Sequence, residues 1–413
     1  MKEYKKRKCC ASCGSSELKT ILNLKEVPLA GFFPNKEELD TVSSYPLELQ
    51  ICENCKLVQT DSVIDPDILF RDYRYLSSIG LTKHFNQAAK SLHDKYNVSG
   101  KEILEFGCND GVLLEPLNKL GANTIGVDPS INVSQIARDK GLNVVTEYFN
   151  YSTFGTYEWK DKFDLILSNN AFAHIIDIKD TTKAVHHCLK PGGKFIFEVH
   201  YLKSLIDELQ WDNIYHEHIY YYSITAINNL LSNYDMKIKD FELLSIHSGS
   251  IRVTAEKGLA ELPVKVKNMI DSESKNICNL DYLKEFQYKV LNHISEFKKE
   301  ITKSKEKGLT IAGYGASGRA NMFCNIIGLD SDLISFIVDE SPERCGRYIA
   351  NTSIPIVGVD KLKENDVDLL IIFAWNYSNM IIEKTKFKEF NYMVAFPEIR
   401  YFKNETNIKT NTL

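Results

Sequence analysis

The chain has 413 residues, with a hydrophobic fraction of 44% and a formal net charge of -5. This length exceeds what one hydrophobic core usually supports, so we expect two or three domains, and the low net charge disfavours nucleic acid as a partner. No apolar run approaches the roughly 20 residues that cross a bilayer, and no secretory signal follows the basic start, so we expect a cytoplasmic protein without a membrane partner.

The first predicted element is a cysteine-rich module over residues 1–75. Its C-x-x-C pairs are Cys10 with Cys13 and Cys52 with Cys55. Four thiolates complete a tetrahedral zinc site with no open position, which indicates a structural Zn2+ ion. A module this small buries too little apolar surface to fold well without such a staple. Cys9 remains an alternative ligand to Cys10, and unliganded buried cysteines are the alternative interpretation.

Residues 76–260 alternate strand-length apolar runs with amphipathic stretches, which is typical of a parallel sheet with helices on both faces. The predicted strands of this sheet are 103–107, 124–128, 143–149, 163–169 and 194–199. Two later runs, 238–246 and 250–255, are separated by a tight connection. We expect them to close the sheet as an antiparallel hairpin. The fold class predicted for this part is therefore α/β, with a central Rossmann-like sheet.

A glycine-rich turn, Gly107-Cys-Asn-Asp-Gly111, follows the first of these strands, where the backbone can approach a ligand closely. Asp128 ends the second strand, where a carboxylate can accept the hydroxyls of an adenosine ribose, and Glu105 can orient the loop or meet the amino group of a methionine. The spacing E-x-G-x-N-x-G favours S-adenosylmethionine over NAD, and a structural turn is the remaining alternative. The predicted cofactor contacts are Glu105, Gly107, Asn109, Gly111, Asp128 and Asn169.

The last part of the chain predicts a helical connection over 261–307 and a second, smaller Rossmann-like domain over 308–413. Strands are predicted in that domain at 309–313, 334–338, 367–374 and 393–396. Residues 313–318 have the spacing G-x-G-x-x-G after a strand, and Asp339 ends the next strand. On spacing alone, this pattern is typical of a nicotinamide-dependent dehydrogenase.

Motifs in all three parts resemble those of the deoxysugar C-methyltransferases of antibiotic and surface-glycan biosynthesis. In chain order they are the two C-x-x-C pairs, 70–78, 104–114, 215–218, 247–252 and 313–317. The resemblance covers nearly the whole chain. It implies a zinc-binding N-terminal domain, a central S-adenosylmethionine-dependent methyltransferase domain and a C-terminal Rossmann-like domain that helps to hold a nucleotide-linked sugar.

The implied reaction forms a carbon–carbon bond, so the enzyme must make a sugar carbon nucleophilic. A neighbouring ketone stores the charge as an enolate, which calls for a base, donors to the enolate oxygen and exclusion of water. The resemblance places the base at His218, after Glu217, which then orients the histidine or binds a sugar hydroxyl. Tyr215 is expected to donate a hydrogen bond to a substrate oxygen, and His174 to interact with the enolate oxygen. Tyr75 is expected to contribute from the opposite wall of the ligand crevice. A satisfied polar core is the alternative for the histidines and Glu217.

The resemblance also implies that the second glycine loop holds the diphosphate of the substrate, through backbone N–H groups and a nearby cation. The predicted substrate contacts are Gly313, Gly315, Ser317, Arg319, Asn321 and Arg252. The expected partner is a nucleotide-diphosphate keto-deoxysugar, and the expected state is a monomer. Three alternatives remain open: an O- or N-methyltransferase, a NAD-dependent nucleotide-sugar oxidoreductase, and a zinc scaffold without catalysis. The sequence leaves open the sugar, the methylated carbon and whether the nucleotide is dTDP, GDP or CDP.

Overall fold

A computed structural model describes residues 3–71, 76–258 and 261–403 of the chain. In chain order the strands are β1 Tyr4–Lys6, β2 Leu18–Val27, β3 Tyr45–Cys52, β4 Val58–Thr60, β5 Ser62–Ile64, β6 Glu102–Phe106, β7 Asn123–Val127, β8 Val144–Val145, β9 Phe163–Asn169, β10 Leu189–His200, β11 Tyr220–Tyr221, β12 Met236–Leu244, β13 Ser250–Lys257, β14 Ile311–Tyr314, β15 Ile337–Asp339, β16 Ile356–Gly358, β17 Leu369–Ile372, β18 Asn391–Val394 and β19 Arg400–Lys403.

The α-helices alternate with these strands. They are α1 Pro66–Phe70, α2 Ser78–Tyr96, α3 Leu114–Lys119, α4 Ile131–Asp139, α5 Tyr151–Phe154, α6 Ile178–Cys188, α7 Leu202–Asp207, α8 Ile224–Ser232, α9 Val264–Ser274, α10 Leu280–Glu306, α11 Gly318–Ile327, α12 Lys361–Glu364 and α13 Ser378–Lys384. Within the described ranges, no helix combines the length and the apolar composition needed to cross a membrane.

The chain forms two compact units. Unit 1 consists of Met1–Lys19, Gln50–Leu202 and Glu217–Asn279, and unit 2 consists of Thr20–Leu49, Lys203–His216 and Leu280–Leu413. Each unit is therefore assembled from segments that are distant in sequence. This grouping differs from the boundaries that we predict at residues 75, 260 and 307, which stay predictions.

Unit 1 contains a seven-stranded sheet in the order β12-β13-β10-β9-β6-β7-β8. The strands from β10 to β8 are parallel, and β13 pairs antiparallel with both β10 and β12. In β6 the residues 103–106 are all buried, as expected for a strand covered on both faces. These observations confirm the predicted α/β class and the predicted closing hairpin. The carboxyl ends of the parallel strands share one edge of the sheet, where ligands bind in such folds.

Unit 2 contains a six-stranded sheet in the order β16-β15-β14-β17-β18-β19. All neighbours are parallel except β18 and β19. This is the order of a dinucleotide-binding Rossmann sheet, with the first strand, β14, between the second and the fourth. The loops after β14 and β17 therefore begin side by side at the switch point of the sheet. The second Rossmann-like sheet is confirmed, and β16 and β19 are additional strands that the apolar pattern did not predict.

The helical connection predicted over 261–307 consists of two helices in different units. Helix α9 lies in unit 1, and helix α10 lies in unit 2. Helix α10 buries Leu283, Phe286, Val290, Phe297 and Ile301. Their spacing of three, four or seven residues puts them on one face, so packing of this face, not intrinsic helix propensity, stabilises α10.

Candidate active site and zinc cluster

The four cysteines predicted to bind zinc come together in unit 1. Their Sγ atoms all lie within 4.8 Å of one another, with Cys10 and Cys55 at 3.4 Å and Cys13 and Cys52 at 3.5 Å. A tetrahedral ion with Zn–S bonds of about 2.3 Å holds its sulfurs about 3.8 Å apart, so these residues fit zinc. Cys10 is buried in the cluster and Cys9 is exposed, which identifies Cys10 as the ligand.

The two halves of this cluster have the same backbone conformation. The N–H of Gly14 donates to the carbonyl of Cys10 at 2.9 Å, and the N–H of Lys56 donates to the carbonyl of Cys52 at 2.9 Å. Both donors have positive φ, at 75° and 62°. This turn points the two thiols of each C-x-x-C pair to the same side, and two such turns supply four ligands.

The first glycine loop follows β6 and is shaped by three residues with positive φ, namely Gly107 at 67°, Asn109 at 51° and Gly111 at 76°. Glycine and asparagine tolerate this region better than other residues, which explains the G-x-N-x-G spacing. A Cβ on Gly107 would lie 2.2 Å from the Cβ of Ala171, so no larger residue fits there. The loop therefore depends on the absence of a side chain at Gly107.

Asp128 follows β7 and holds the loop in place. Its carboxylate accepts the N–H of Asn109 and the N–H of Ser130, each at 2.9 Å. Burial raises the pKa of Asp128, and these two backbone donors oppose that shift. The structure thus brings together the acidic residue and the glycine loop that the sequence predicts to share one ligand.

Glu105 lies on β6 beneath the same loop and is almost completely buried. Its Oε1 accepts from the Asn169 side chain at 3.0 Å, whereas its Oε2 is buried with no hydrogen-bond partner among the described residues. Burial raises the pKa of Glu105 to about 8, and the amide of Asn169 counteracts the shift. An orphaned carboxylate oxygen at this position fits the ammonium group of a methionine moiety, which would supply the missing donor.

Two of the predicted catalytic histidines are neighbours in unit 1. The rings of His174 and His218 have centroids 5.1 Å apart. The Nδ1–H of His174 donates to the carbonyl of Glu217 at 2.5 Å, which fixes the ring and the backbone beside His218. Burial lowers the pKa of His174, and the carbonyls of Glu217 and Asn170 oppose this shift. The backbone at Glu217 and His218 is therefore held in place beside His174, whose neutral form is favoured.

The other predicted catalytic residues are placed differently. Tyr75 lies outside the described residues. Tyr215 is in unit 2, next to the fully buried His216. The Nε2–H of His216 donates to the carbonyl of Pro46 at 3.1 Å, and its ring packs edge-on against Tyr45 at 5.9 Å. The His216 ring is thus held by a hydrogen bond and an aromatic contact inside the protein, as expected for a structural histidine.

Arg252, a predicted substrate contact, is bound within the sheet of unit 1. Its Nε donates to Glu198 at 2.8 Å, and its Nη1 lies 3.3 Å from Glu242. The Nε2 of His84 contacts the other oxygen of Glu198 at 3.0 Å. Burial alone would raise the pKa of Glu198, but His84 and Arg252 lower it overall. The guanidinium therefore neutralises a buried carboxylate within the sheet, and its role as a substrate contact stays a prediction.

The second glycine loop repeats the design of the first. The carboxylate of Asp339, at the end of β15, accepts the N–H of Ala316 at 2.7 Å and the N–H of Ser341 at 2.8 Å. Ser317 caps α11 by accepting the N–H of Ala320 at 3.3 Å. A Cβ on Gly318 would lie 3.2 Å from the carbonyl oxygen of Ala30. The close approach at Gly318 is thus made by the protein's own backbone.

Arg319 and Asn321, both predicted to hold the substrate, are bound to the protein itself. Arg319 forms two hydrogen bonds to Asp212, at 2.9 and 2.8 Å. The side-chain amide of the fully buried Asn321 donates to three backbone carbonyls of residues 29–32. Its oxygen accepts the N–H of Ala350 at 3.2 Å. Both side chains are therefore held by partners within unit 2.

Asp212, Glu198 and His84 form buried ion pairs that were not predicted from the sequence. A charged residue within a run of apolar strand residues indicates a buried charge that needs a partner. Glu198 interrupts the run 194–199 in this way and could have been predicted. Asp212 and His84 carry no such signal, because their partners lie 107 and 114 residues away in the sequence.

Three family models match the chain in the order that the motifs predict. They are a zinc binding domain over residues 10–70, a methyltransferase domain over 81–239 and a C-methyltransferase C-terminal domain over 245–397. Residues 1–9, 71–80, 240–244 and 398–413 lie outside these matches.

Individual relatives point in the same direction. The C-methyltransferase NovU of Streptomyces niveus is 27% identical over 97% of this chain and 98% of its own length. A ubiquinone biosynthesis O-methyltransferase of Bradyrhizobium sp. (strain ORS 278) is 31% identical over 28% of this chain, and the match spans 44% of that enzyme. The match to the crystal structure of magnesium protoporphyrin IX methyltransferase from Synechocystis PCC 6803 covers 43% of this chain and 84% of that chain, at 16% identity and a TM-score of 0.35.

Proposed function

We propose that this chain, which belongs to the S-adenosylmethionine-dependent C-methyltransferases with a zinc-binding N-terminal domain, methylates the carbon beside the ketone of a nucleotide-linked 4-keto-deoxysugar. The match to NovU over 97% of the chain supports carbon as the acceptor. The neighbouring His174 and His218 rings in the unit that holds the first glycine loop are the observation that carries the proposal.

The methyl donor is proposed to bind at the first glycine loop. Glu105 would meet the ammonium group of the donor, and Asp128 would accept its ribose hydroxyls. Asn169 holds Glu105 in place, and the loop from Gly107 to Gly111 lets the backbone approach the ligand. When bound, the donor supplies a sulfonium methyl group, and the buried surroundings of Glu105 keep water away from it.

His218 is proposed to remove the proton from the sugar carbon. A neutral imidazole is a competent base near pH 7. Glu217 is proposed to orient the ring or bind a sugar hydroxyl, and its carbonyl is held by His174. A donor role for His174 toward the enolate oxygen would need a second ring proton, which its lowered pKa disfavours. We therefore assign oxygen donation to Tyr215 and positioning to His174.

The nucleotide diphosphate of the substrate is proposed to meet the second glycine loop. The helix α11 that begins at Gly318 offers its first-turn N–H groups and the positive end of its dipole. Gly315 and Ser317 lie directly before this turn.

The test separates proton abstraction from methyl transfer. Wild-type protein is incubated in D2O with dTDP-, GDP- and CDP-linked 4-keto-6-deoxyhexoses without a methyl donor, and substrate deuterium is measured by mass spectrometry. We expect deuterium at the carbon beside the ketone, and loss of at least 100-fold of this exchange in His218→Ala. His187→Ala, which removes a histidine bonded to the Thr156 carbonyl, is the matched control.

Addition of labelled S-adenosylmethionine then identifies the methylated atom. A product with its new methyl group on carbon supports the proposal. A product methylated on oxygen or nitrogen, with no deuterium uptake by the wild type, would identify a heteroatom methyltransferase.

A further inference from the structure

The segment that leads into Glu217 and His218 is anchored in unit 2 by a buried ion pair. Asp212, which is 1% exposed, accepts two hydrogen bonds from the guanidinium of Arg319, at 2.9 and 2.8 Å. The indole N–H of Trp375 donates to the same carboxylate at 3.1 Å. The guanidinium lies 4.8 Å from the centre of the Trp375 ring. Asp212 is therefore held by three donors in one fixed geometry.

The preceding residue, Trp211, forms a second anchor. Its indole N–H donates to Nδ1 of His293 at 3.0 Å, and Nε2–H of His293 donates to the carbonyl of Ala395 at 2.7 Å. These bonds fix His293 as a neutral ring with its proton on Nε2. The Trp211 ring stacks on Phe323, with centroids 5.0 Å apart and an interplanar angle of 15°. Trp211 is thus fixed by both its polar and its apolar atoms.

The third anchor is His216, through its hydrogen bond to the carbonyl of Pro46. Tyr215 lies between Asp212 and His216, so the backbone on both sides of Tyr215 is fixed. Because the backbone is held at Asp212 and at His216, the Tyr215 side chain between them has little freedom to move. The ion pair between Asp212 and Arg319 is the charged member of these anchors.

We propose that Asp212 and Arg319 are positioning residues that hold Tyr215 in place for the reaction, and that Arg319 serves Asp212 and does not bind a substrate phosphate. This inference rests on the proposed role of Tyr215. A side chain displaced by about 1 Å can lose about 100-fold in rate, so the anchor acts on kcat. A phosphate contact would act mainly on KM, because that part of the substrate is bound equally in the ground and transition states.

The test is a double-mutant cycle on the full chain with Asp212→Asn, Arg319→Gln and the combined variant. Each single variant is expected to lower kcat about 10- to 100-fold and to change KM for the accepted nucleotide sugar by less than about 3-fold. The combined variant is expected to be no slower than the slower single variant, because the two residues act as one unit. Arg319→Lys, which keeps the charge and loses the two-pronged geometry, is expected to be intermediate.

The control is Lys384→Gln, which removes an exposed ion pair to Glu340 in the same unit and is expected to leave kcat and KM unchanged. The inference is overturned if Arg319→Gln raises KM at least 10-fold while Asp212→Asn does not. It is also overturned if both variants keep wild-type kcat.

Backbone hydrogen–deuterium exchange of residues 205–216 provides a readout that does not depend on activity. Asp212→Asn and Arg319→Gln are expected to accelerate exchange in this segment at least 10-fold, and Arg319→Lys less, relative to the Lys384→Gln control. Unchanged protection would overturn the inference. If wild-type protein shows no methyl transfer to carbon, the proposed function fails, and the exchange experiment still decides whether the ion pair anchors the segment.

Discussion

Glu105→Gln is expected to stabilise the free protein and weaken its binding of S-adenosylmethionine. In the absence of a ligand the Glu105 carboxyl is buried, has one oxygen without a partner in the described part of the chain, and has its pKa raised from 4.5 to about 8 by burial. Glutamine has nearly the same shape and can still accept the hydrogen bond from Asn169. The variant therefore removes the ionisable group and little else.

The size of the stabilisation follows from the difference between the folded and unfolded pKa values of Glu105. Between the unfolded pKa near 4.5 and the folded pKa near 8, the folded state binds the proton more tightly, so wild-type stability falls as the pH rises. At about 1.4 kcal/mol for each pH unit, this loss amounts to about 3 kcal/mol at pH 7 and about 5 kcal/mol at pH 9. Glu105→Gln avoids this loss, so its advantage over wild type should grow from pH 5 to pH 9.

Binding of the donor should have the opposite dependence. An ammonium group needs the ionised carboxylate, so wild-type affinity for S-adenosylmethionine should rise about 10-fold for each pH unit below 8 and level off above it. Close to one proton should be released on binding at pH 7. Glu105→Gln should bind about 10- to 100-fold more weakly at pH 8.5, without this pH dependence.

The assays are thermal unfolding at pH 5, 7 and 9 and titration calorimetry in buffers of different ionisation enthalpy. Glu102→Gln is the control on the same strand, since its carboxylate accepts only from the Asn123 side chain near the surface. Equal pH dependence of unfolding in wild type and Glu105→Gln, or donor binding without proton release, would refute the reasoning.

Three further changes test other parts of the structure. Cys10→Ser should lose bound zinc and unfold at lower temperature, whereas Cys9→Ser should retain about one zinc per chain by atomic absorption. Gly107→Ala should abolish donor binding in calorimetry, because its Cβ would overlap a neighbouring alanine side chain, whereas Gly100→Ala has open space and should lose only about 1 kcal/mol of stability. Arg252→Gln should cost about 3 kcal/mol of unfolding free energy, because the buried Glu198 loses its permanently charged partner and keeps the contact with His84. The variant should lose stability further as the pH rises, and KM for the nucleotide sugar should stay unchanged.

The local pattern of the chain was sufficient to predict both Rossmann-like sheets. Buried parallel strands are short apolar runs, and the runs at 103–107, 163–169 and 194–199 each contain or overlap an observed strand. The edge strands β16 and β19 escaped prediction because Ile356 is the one buried residue in them, so neither strand is a buried apolar run.

The candidate site was predictable to the extent that its parts are local. The C-x-x-C pairs and the glycine loop each depend on residues a few positions apart, so their spacing reports their geometry, whereas the contact between His174 and His218 joins distant segments. Asp128 and Asp339 were also found from sequence, because the carboxyl end of the second strand always lies beside the first loop in this fold.

The partners of the charged side chains were decided by the tertiary structure alone. A guanidinium near a glycine loop fits a phosphate as well as it fits a buried carboxylate, and nothing in the local sequence distinguishes the two. Arg319 and Arg252 were therefore expected at the substrate, whereas folding brings them to Asp212 and Glu198. Backbone preferences and apolar periodicity depend on residues close in sequence, so the sequence determines them directly. The pairing of buried charges depends on which distant segments pack into the same core, because a buried charge is stable only beside a partner in that core.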